Sequence, residues 1–572
     1  MSAKIALYYD VDAYQELSRR GKETGAERGL WGRHVAGQEF LDAYLEHGTW
    51  NQLLALVRQR SGRRSLIKTC QDHPSSQTRQ RRLRFVTDRD FLQKDPPAEL
   101  LYLPQPPDDR YAWARHQASG HGFAICGVTH TLCSARAVRW LNALVTSPFE
   151  EYDALICTSR SVVNMVRAVV DNYADFLRQR YGGHPKLRPR LEVIPLGVNV
   201  DRFTPATPGQ RTAQRRRFQI TDEELAVLYV GRLAAHGKVH PFPIFQALAR
   251  AAVETGKKIH LLISGWANTP QVLQAWLDAA RQLAPGVRVT FVDGTHATDR
   301  FAVWHAADVF TSLSDNLQET FGLVVVEAMA SGLPVVATDW DGYRDLVVHG
   351  QTGALVPTSM IQGATIDATS RLLMGLSSYD EFIGQCNQAT TVDMDRAVEA
   401  FVRLIRDEQL KRQWGAAARR RAEEIFDWRH IVRAYEKLWA NQITQRQETS
   451  RRRVDERGTP YGPDYYPAPE KSFATYPTSW LDGQSDLIAV PGAKEQLELV
   501  AMLALTNYGS KYRTHDLGRL NAILEECRQP TSIQVLADKL EAAAVGPRAA
   551  LATIAWLLKY NVLSVVRVPD SQ

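Results

Sequence analysis

Residues Asp315–Gly353 read DNLQETFGLVVVEAMASGLPVVATDWDGYRDLVVHGQTG, and this stretch decides the fold. It opens on a polar, turn-forming run that closes with Glu319, Thr320, Phe321 and Gly322. An apolar helix is expected over Leu323–Ala330, with Glu327 inside it. Ser331-Gly332 stops that helix, and Pro334 cannot continue it. Val335, Val336 and Ala337 then read as a short buried strand. A charged residue inside an apolar helix is costly unless it finds a partner. A lone glutamate there would ordinarily be read as salt-bridged or on a solvated face.

The spacing of the two carboxylates argues for more than that. Eight helical residues span ~12 Å. Paired carboxylates that hydrolyse glycosides stand ~5 to 9.5 Å apart, so Glu319 and Glu327 do not fit an acid–nucleophile couple. They suit two hydroxyl clusters held apart on one extended ligand. Between them lies a helix N-terminus whose free N–H groups favour an anion. Hydroxyls, anion, hydroxyls is the outline of a nucleotide diphosphate sugar.

Glu319-x7-Glu327, set in ETFGLVVVEAMASGLPVVAT, resembles the retaining glycosyltransferases of family 4, which have the GT-B fold. The resemblance covers roughly residues 120 to 440 and only loosely the N-terminal third. It implies two Rossmann-like, doubly wound α/β domains facing across a cleft. In that family the first Glu (here Glu319) meets the donor sugar and the second (Glu327) the ribose. The amides of Phe321, Gly322 and Leu323, next to Thr320, approach the sugar and phosphates. Ala226–Val230 leads into Gly231-Arg232-Leu233 and then Lys238, similar to a family run in which Arg and Lys grip the diphosphate. Arg offers a planar fork to phosphate and Lys a point charge. The resemblance thus assigns chemistry to Glu319, His130, Arg232 and Lys238, and donor binding to Gly32, Arg232, Lys238, Glu319, Thr320, Phe321, Gly322, Leu323 and Glu327. Gly32 stands where the family has a Gly pair before its first helix, but the pair itself is missing. Asp341-Gly342 likewise stands where the family has Gly-Gly. His130, at the end of the expected strand Phe123–Val128, either touches the donor sugar or acceptor or is a structural histidine.

Length and composition set the frame. At 572 residues, three to four domains are expected, and the 44% apolar, 23% charged composition is that of a globular chain. No run of 18 apolar residues predicts a transmembrane helix. A first strand at Ile5–Tyr9 leaves no room for a signal peptide. The six cysteines form no CxxC pair, so reduced thiols in the cytoplasm are expected, without a metal site. From Arg58 to Arg84 nine basic residues face one acid, Asp72, a local net of +8. Such a stretch is a solvated face, or meets an anionic acceptor, a membrane surface or a nucleic acid.

Alternating strands and helices imply parallel sheets covered on both faces. The expected organisation is an acceptor-side Rossmann-like domain over 1–198 and a nucleotide-sugar domain over 199–415. A helix over 416–440 then crosses back to the first domain, ending in Phe426–Leu438. A linker is expected over 441–485 and a helical, winged-helix-like module over 486–572. Trp50, Leu53, Leu54 and Val57 recur at helical spacing, so a helix is expected over 47–60. Thr531-Ser532 is expected to cap a helix, and Val562–Val568 to form a strand. Between Asp486 and Arg567 nine basic residues meet eight acids, too neutral a balance for a phosphate-tracking face. A protein-docking or structural module is the expectation there, ahead of a DNA reader.

The resulting expectation is a metal-independent, cofactor-free glycosyltransferase taking a nucleotide-sugar donor. It would be cytoplasmic or peripheral at the inner face of a membrane, with acceptor, sugar and nucleotide open. From another class, a protein- or nucleic-acid-binding scaffold would use the basic stretch and the C-terminal module, and nucleic acid is the less expected partner.

Overall fold

The computed structural model describes residues 4–14, 32–75, 82–93, 95–118, 122–454, 472–507 and 513–566. The chain divides into two compact units, Met1–Asp464 and Tyr465–Gln572.

The first unit holds two parallel sheets. The first contains β1 (Ile5–Tyr8), β2 (Gln52–Leu56), β3 (Arg82–Val86), β4 (Leu100–Leu103), β5 (Ala124–Val128), β6 (Ala154–Cys157) and β7 (Arg190–Val193). Its seven strands run in the order β3-β2-β1-β4-β5-β6-β7. Every residue of β4, β5 and β6 is buried, as helices on both faces of a parallel sheet require. The edge strand β3 instead alternates, with Arg82 and Arg84 exposed, which blunts further pairing.

The second sheet contains β8 (Leu225–Arg232), β9 (Ile259–Trp266), β10 (Val287–Asp293), β11 (Val309–Ser312), β12 (Val335–Thr338) and β13 (Gly353–Val356), in the order β10-β9-β8-β11-β12-β13. Strand order reverses at β1/β4 in one sheet and at β8/β11 in the other. Ligands of open α/β sheets bind outside the strand ends at such reversals. The two doubly wound layers are the GT-B architecture. An appendage follows β13: β14 (Thr358–Met360) pairs antiparallel with β15 (Thr390–Val392).

The two domains are stitched where the chain crosses between them. The Val198 N–H donates to the Phe426 carbonyl at 2.7 Å, and the Trp428 N–H to the Val198 carbonyl at 3.3 Å. Gly197 is required there, since a Cβ would lie 2.2 Å from Trp428 Cδ2.

Four expectations change. The single helix expected over 416–440 is instead the end of a Glu408–Arg421 helix, a π turn over Ala422–Phe426 and the start of a second helix at Trp428, the break falling where Val198 pairs with Phe426 and Trp428. The segment expected as a helix over 47–60 holds β2 instead, and the helix begins afterwards, Arg60–Gln71. Leu53, Leu54, Ala55 and Leu56 are all buried, and a strand covered on both faces is a continuous apolar run that helical spacing also fits. The expected linker does not begin at 441: one helix runs Trp428–Val454. Buried Gln442 holds it down, its Nε2 donating to the carbonyls of Ile125 (3.1 Å) and Tyr152 (2.9 Å). Residues 455–471 of that span lie outside the described residues. The strand expected over 562–568 is shorter, as given below.

Of the basic run, Arg58 forks onto Asp88 at 2.9 and 3.1 Å, and Arg63 lies over the Phe85 ring. Arg79 and Arg81 lie outside the described residues.

The second unit packs helices Ala493–Met502, Leu517–Glu526, Ile533–Ala542 and Pro547–Lys559 around Leu487, Leu497, Leu536 and Leu557. Beside them β16 (Asp486–Ala489) pairs antiparallel with β17 (Thr531–Ser532) and β18 (Leu563–Val565). Ser532 caps its helix by accepting from the Val535 N–H. Among the described residues no helix is long and apolar enough to cross a membrane.

Candidate functional site

Two loops meet at the β8/β11 reversal. The strands pair in register, Val309 with Val227 and Phe310 with Leu228, so both release their loops at one sheet edge. The β8 loop carries Arg232 and Lys238, and the β11 loop carries Glu319. Buried polar side chains lock the loops together. The Ser314 hydroxyl donates to the Lys238 carbonyl at 3.0 Å, and fully buried Asn316 donates to the His236 carbonyl. Thr338 Oγ1 donates to the Ser314 carbonyl at 2.5 Å, and the Trp340 indole to the Asn316 carbonyl at 3.0 Å. A polar loop buried to this depth must satisfy its groups internally, which fixes its shape.

Lys238 Nζ lies 2.5 Å from Glu319 Oε2, and the Glu319 side chain is 9% exposed. The Tyr343 hydroxyl donates to the same oxygen at 3.3 Å. Burial pushes the Glu319 carboxyl up, but the Lys238 ammonium, the Phe321 N–H and the Tyr343 hydroxyl together hold it below the usual range. Arg232 curls beside them, its Nη2 3.5 Å from the Gly237 carbonyl.

Gly322 opens the Leu323–Ala330 helix at φ +107. An added Cβ would meet Tyr343 Cε1 at 2.3 Å, so glycine answers both the backbone angle and the close approach. Phe321 is buried against Phe426, and the Thr320 carbonyl accepts from Thr158 Oγ1 of the first domain at 3.2 Å. Glu327 lies one turn into the helix, 6% exposed. Burial pushes its carboxyl up, opposed by the charges of Arg300, Arg202 and Lys238. Both arginines lie against the Phe301 ring, at 4.1 Å for Arg202 and 5.4 Å for Arg300.

Arg232, Lys238, Glu319, Thr320, Phe321, Gly322, Leu323 and Glu327 thus form one cluster on the second domain. His130 stands on the first domain, its Nε2 2.8 Å from the Pro104 carbonyl, in an apolar cavity lined also by Tyr14, Phe40 and Trp428. Gly32 is the first residue of the Gly32–His47 helix, and the loop expected before it lies outside the described residues. Sequence reasoning missed Tyr343, Asn316 and the first-domain turn Thr158–Ser161. It also missed Glu39, whose carboxyl burial and the Glu327 charge push up to about 8. Nothing local marks these residues, because each acts on a partner far along the chain. Among the described residues no group of three or more His, Cys, Asp or Glu side chains is placed to hold a metal ion.

The family of glycosyl transferases group 1 matches residues 224–374, the stretch that carries Arg232, Lys238, Glu319 and Glu327. The D-inositol 3-phosphate glycosyltransferase of Mycolicibacterium smegmatis is 30% identical over 311 residues, spanning 53% of this chain and 67% of its own. The chain belongs to the group 1 glycosyl transferases. The protein of the same name from Geodermatophilus obscurus is 34% identical over 242 residues, 40% of this chain and 49% of its own. This group 1 chain spans about half the length of most curated relatives it matches. Among solved structures, sucrose-phosphate synthase from Thermosynechococcus elongatus superposes with a TM-score of 0.46 at 19% identity, covering 77% of this chain and 100% of that one. The Anabaena HepE protein in complex with UDP and glucose gives 0.47 at 16% identity, covering 76% and 99%.

Proposed function

We propose that this group 1 chain transfers a sugar, with retention, from a nucleotide diphosphate sugar to an acceptor hydroxyl, with no resident metal or organic cofactor. The observation that carries the reading is the Lys238–Glu319 contact beside Arg232 and a helix N-terminus, at the sheet reversal. The names of its curated relatives support the sugar-transfer part of the reading.

In this reading the Glu327 carboxylate takes the ribose hydroxyls. The diphosphate lies across Arg232, Lys238 and the amides of Phe321, Gly322 and Leu323. When Lys238 turns to phosphate, the Glu319 carboxylate is released to accept sugar hydroxyls. As the glycosidic bond breaks, negative charge grows on the departing diphosphate, where the two cations and the helix N-terminus already stand. The acceptor hydroxyl attacks from the face the leaving group vacates, its oxygen bonds the anomeric carbon, and its proton passes to the departing diphosphate oxygen. The protein contributes positioning and fixed charge.

The test is a panel of UDP-, GDP- and ADP-sugars, with nucleotide release as the readout. One nucleotide class is expected to turn over, unaffected by a divalent chelator. Glu327→Ala is expected to weaken nucleotide diphosphate binding about 10- to 150-fold, the worth of a hydrogen bond to a charged group. Neither release nor binding across the panel refutes the reading, and activity abolished by chelator refutes its metal-free part.

A further inference from the structure

We propose that Asp341 binds a hydroxyl of the sugar carried by the donor and so determines which sugar is accepted. The inference rests on the glycosyltransferase reading and adds to it a residue that faces the sugar rather than the nucleotide.

Four observations converge on Asp341. Its backbone is left-handed, φ +44, in the turn that follows β12. Glycine adopts that conformation without strain, and an aspartate held there marks a site where the surroundings enforce it. Its neighbour Gly342 places the turn on the site, since a Cβ there would lie 2.5 Å from Phe321 Cα and 2.7 Å from the Thr320 carbonyl. The turn is therefore pressed against the backbone that follows Glu319.

The third observation is chemical. Asp341 Oδ1 is buried and has no hydrogen-bond partner. The Gly342 N–H and the Ser159 hydroxyl serve the carboxyl, as left-handed aspartate favours, and they leave Oδ1 without a partner. A buried oxygen without a partner is costly, and a ligand hydroxyl at that position would satisfy it. Burial, and after it the charge of Glu319, push the carboxyl up to about 7, so near neutral pH it can accept from a hydroxyl or donate to one.

The fourth is that the opposite domain closes over the same turn. The Ser161 hydroxyl donates to the Asp341 carbonyl at 3.0 Å, and the Arg160 N–H to the Asp345 carboxylate at 2.6 Å. With Thr158 on the Thr320 carbonyl, the start of the Arg160–Tyr181 helix roofs the space beside Glu319. A hydroxyl bound by Asp341 is held in that roofed space, on the sugar side of the phosphate-facing cations.

A turn role and a binding role predict opposite results for Asp341→Gly. The glycine relieves the left-handed strain, so the variant is expected to melt at or above the parent temperature. Binding of the nucleotide diphosphate alone is expected to be unchanged. The kcat/KM for release from the preferred sugar nucleotide is expected to fall about 10- to 100-fold. The parent is expected to discriminate against one deoxy analogue of that donor, and Asp341→Gly to lose the discrimination. Asp341→Asn, which keeps the turn chemistry, supplies the same comparison if the glycine variant does not accumulate. Parental kcat/KM and parental discrimination in a folded variant overturn the inference and leave the transferase reading standing. An equal loss on the nucleotide diphosphate alone also overturns it. A parent that binds neither nucleotide nor sugar nucleotide overturns both.

Discussion

Replacing Lys238 by methionine leaves the Glu319 carboxylate, 9% exposed, with the Tyr343 hydroxyl and the Phe321 N–H. At 2.5 Å and an effective dielectric of about 20 the lost attraction is about 7 kcal/mol, much of which only offsets the cost of drying two ions. The orphaned carboxylate has a second course, which is to take up a proton. That costs about 1.4 kcal/mol for each pH unit above the ordinary value of 4.5, hence about 3.4 kcal/mol at pH 7 and about 0.7 kcal/mol at pH 5. Protonation is the smaller loss and sets the ceiling. Lys238→Met is therefore expected to lower the unfolding free energy by about 2–3 kcal/mol at pH 7 and by under about 1 kcal/mol at pH 5. The signs agree on both sides. In the parent the Glu319 carboxyl lies below its ordinary value, so its contribution is present above pH 4.5 and fades as pH falls. In the variant burial is opposed only by the Phe321 N–H and the Tyr343 hydroxyl and the carboxyl rises, so stability is lost as pH climbs. The assay is urea titration of the full chain at pH 5, 6 and 7. Adding Glu319→Gln to Lys238→Met is expected to recover most of the loss at pH 7. A loss that does not change from pH 5 to 7, or a double variant as weak as the single one, would refute the reasoning.

Further expectations follow from other parts of the structure. Gly322→Ala, which places a methyl 2.3 Å from Tyr343 at φ +107, is expected to cost about 2–4 kcal/mol; an unchanged melting temperature would contradict it. Burial raises the Asp315 carboxyl to about 7 and the Glu39 carboxyl to about 8, against ordinary values of 3.8 and 4.5. Their share of stability is complete below those ordinary values and lost as pH rises through 7 and 8, so Asp315→Asn should flatten the fall in urea midpoint between pH 5 and 8. Ending the chain after Asp464 should leave a folded first unit that binds nucleotide diphosphate. Ending it after Gln445 cuts the Trp428–Val454 helix and deletes Arg446, which holds the Gly122 carbonyl and Glu99, so this shorter chain should melt lower. Equal melting of the two truncations would show that the last turns of the helix contribute nothing.

Legibility followed sequence distance. β5 and β12 could be read because parallel strands covered on both faces are short apolar runs, and both are buried at every position. The same property hid β2, whose run of leucines fits a helix equally well until its neighbours β1 and β3 are known. The far half of the Trp428–Val454 helix read as linker because its sequence is polar. It is helical in spite of that, since Gln442 finds carbonyls on β5 and at Tyr152 that lie 317 and 290 residues away. Propensity is a weak prior beside such partners.

The sequence by itself determined which groups gather at the site. Arg232 ends a strand, and Glu319, Gly322 and Glu327 flank one helix start, so local order and the sheet rule place them together. Tertiary structure alone decided their state. Lys238 meets Glu319 across 81 residues, Tyr343 reaches the same carboxylate from 24 residues on, and Thr158 crosses the domain boundary to Thr320 over 162. Whether a carboxylate is held ionised, as Glu319 is, or pushed toward neutrality, as Asp341 and Glu39 are, depends on burial and on charges brought near by folding. Those quantities depend on distances in space, and the order of residues along the chain does not set them.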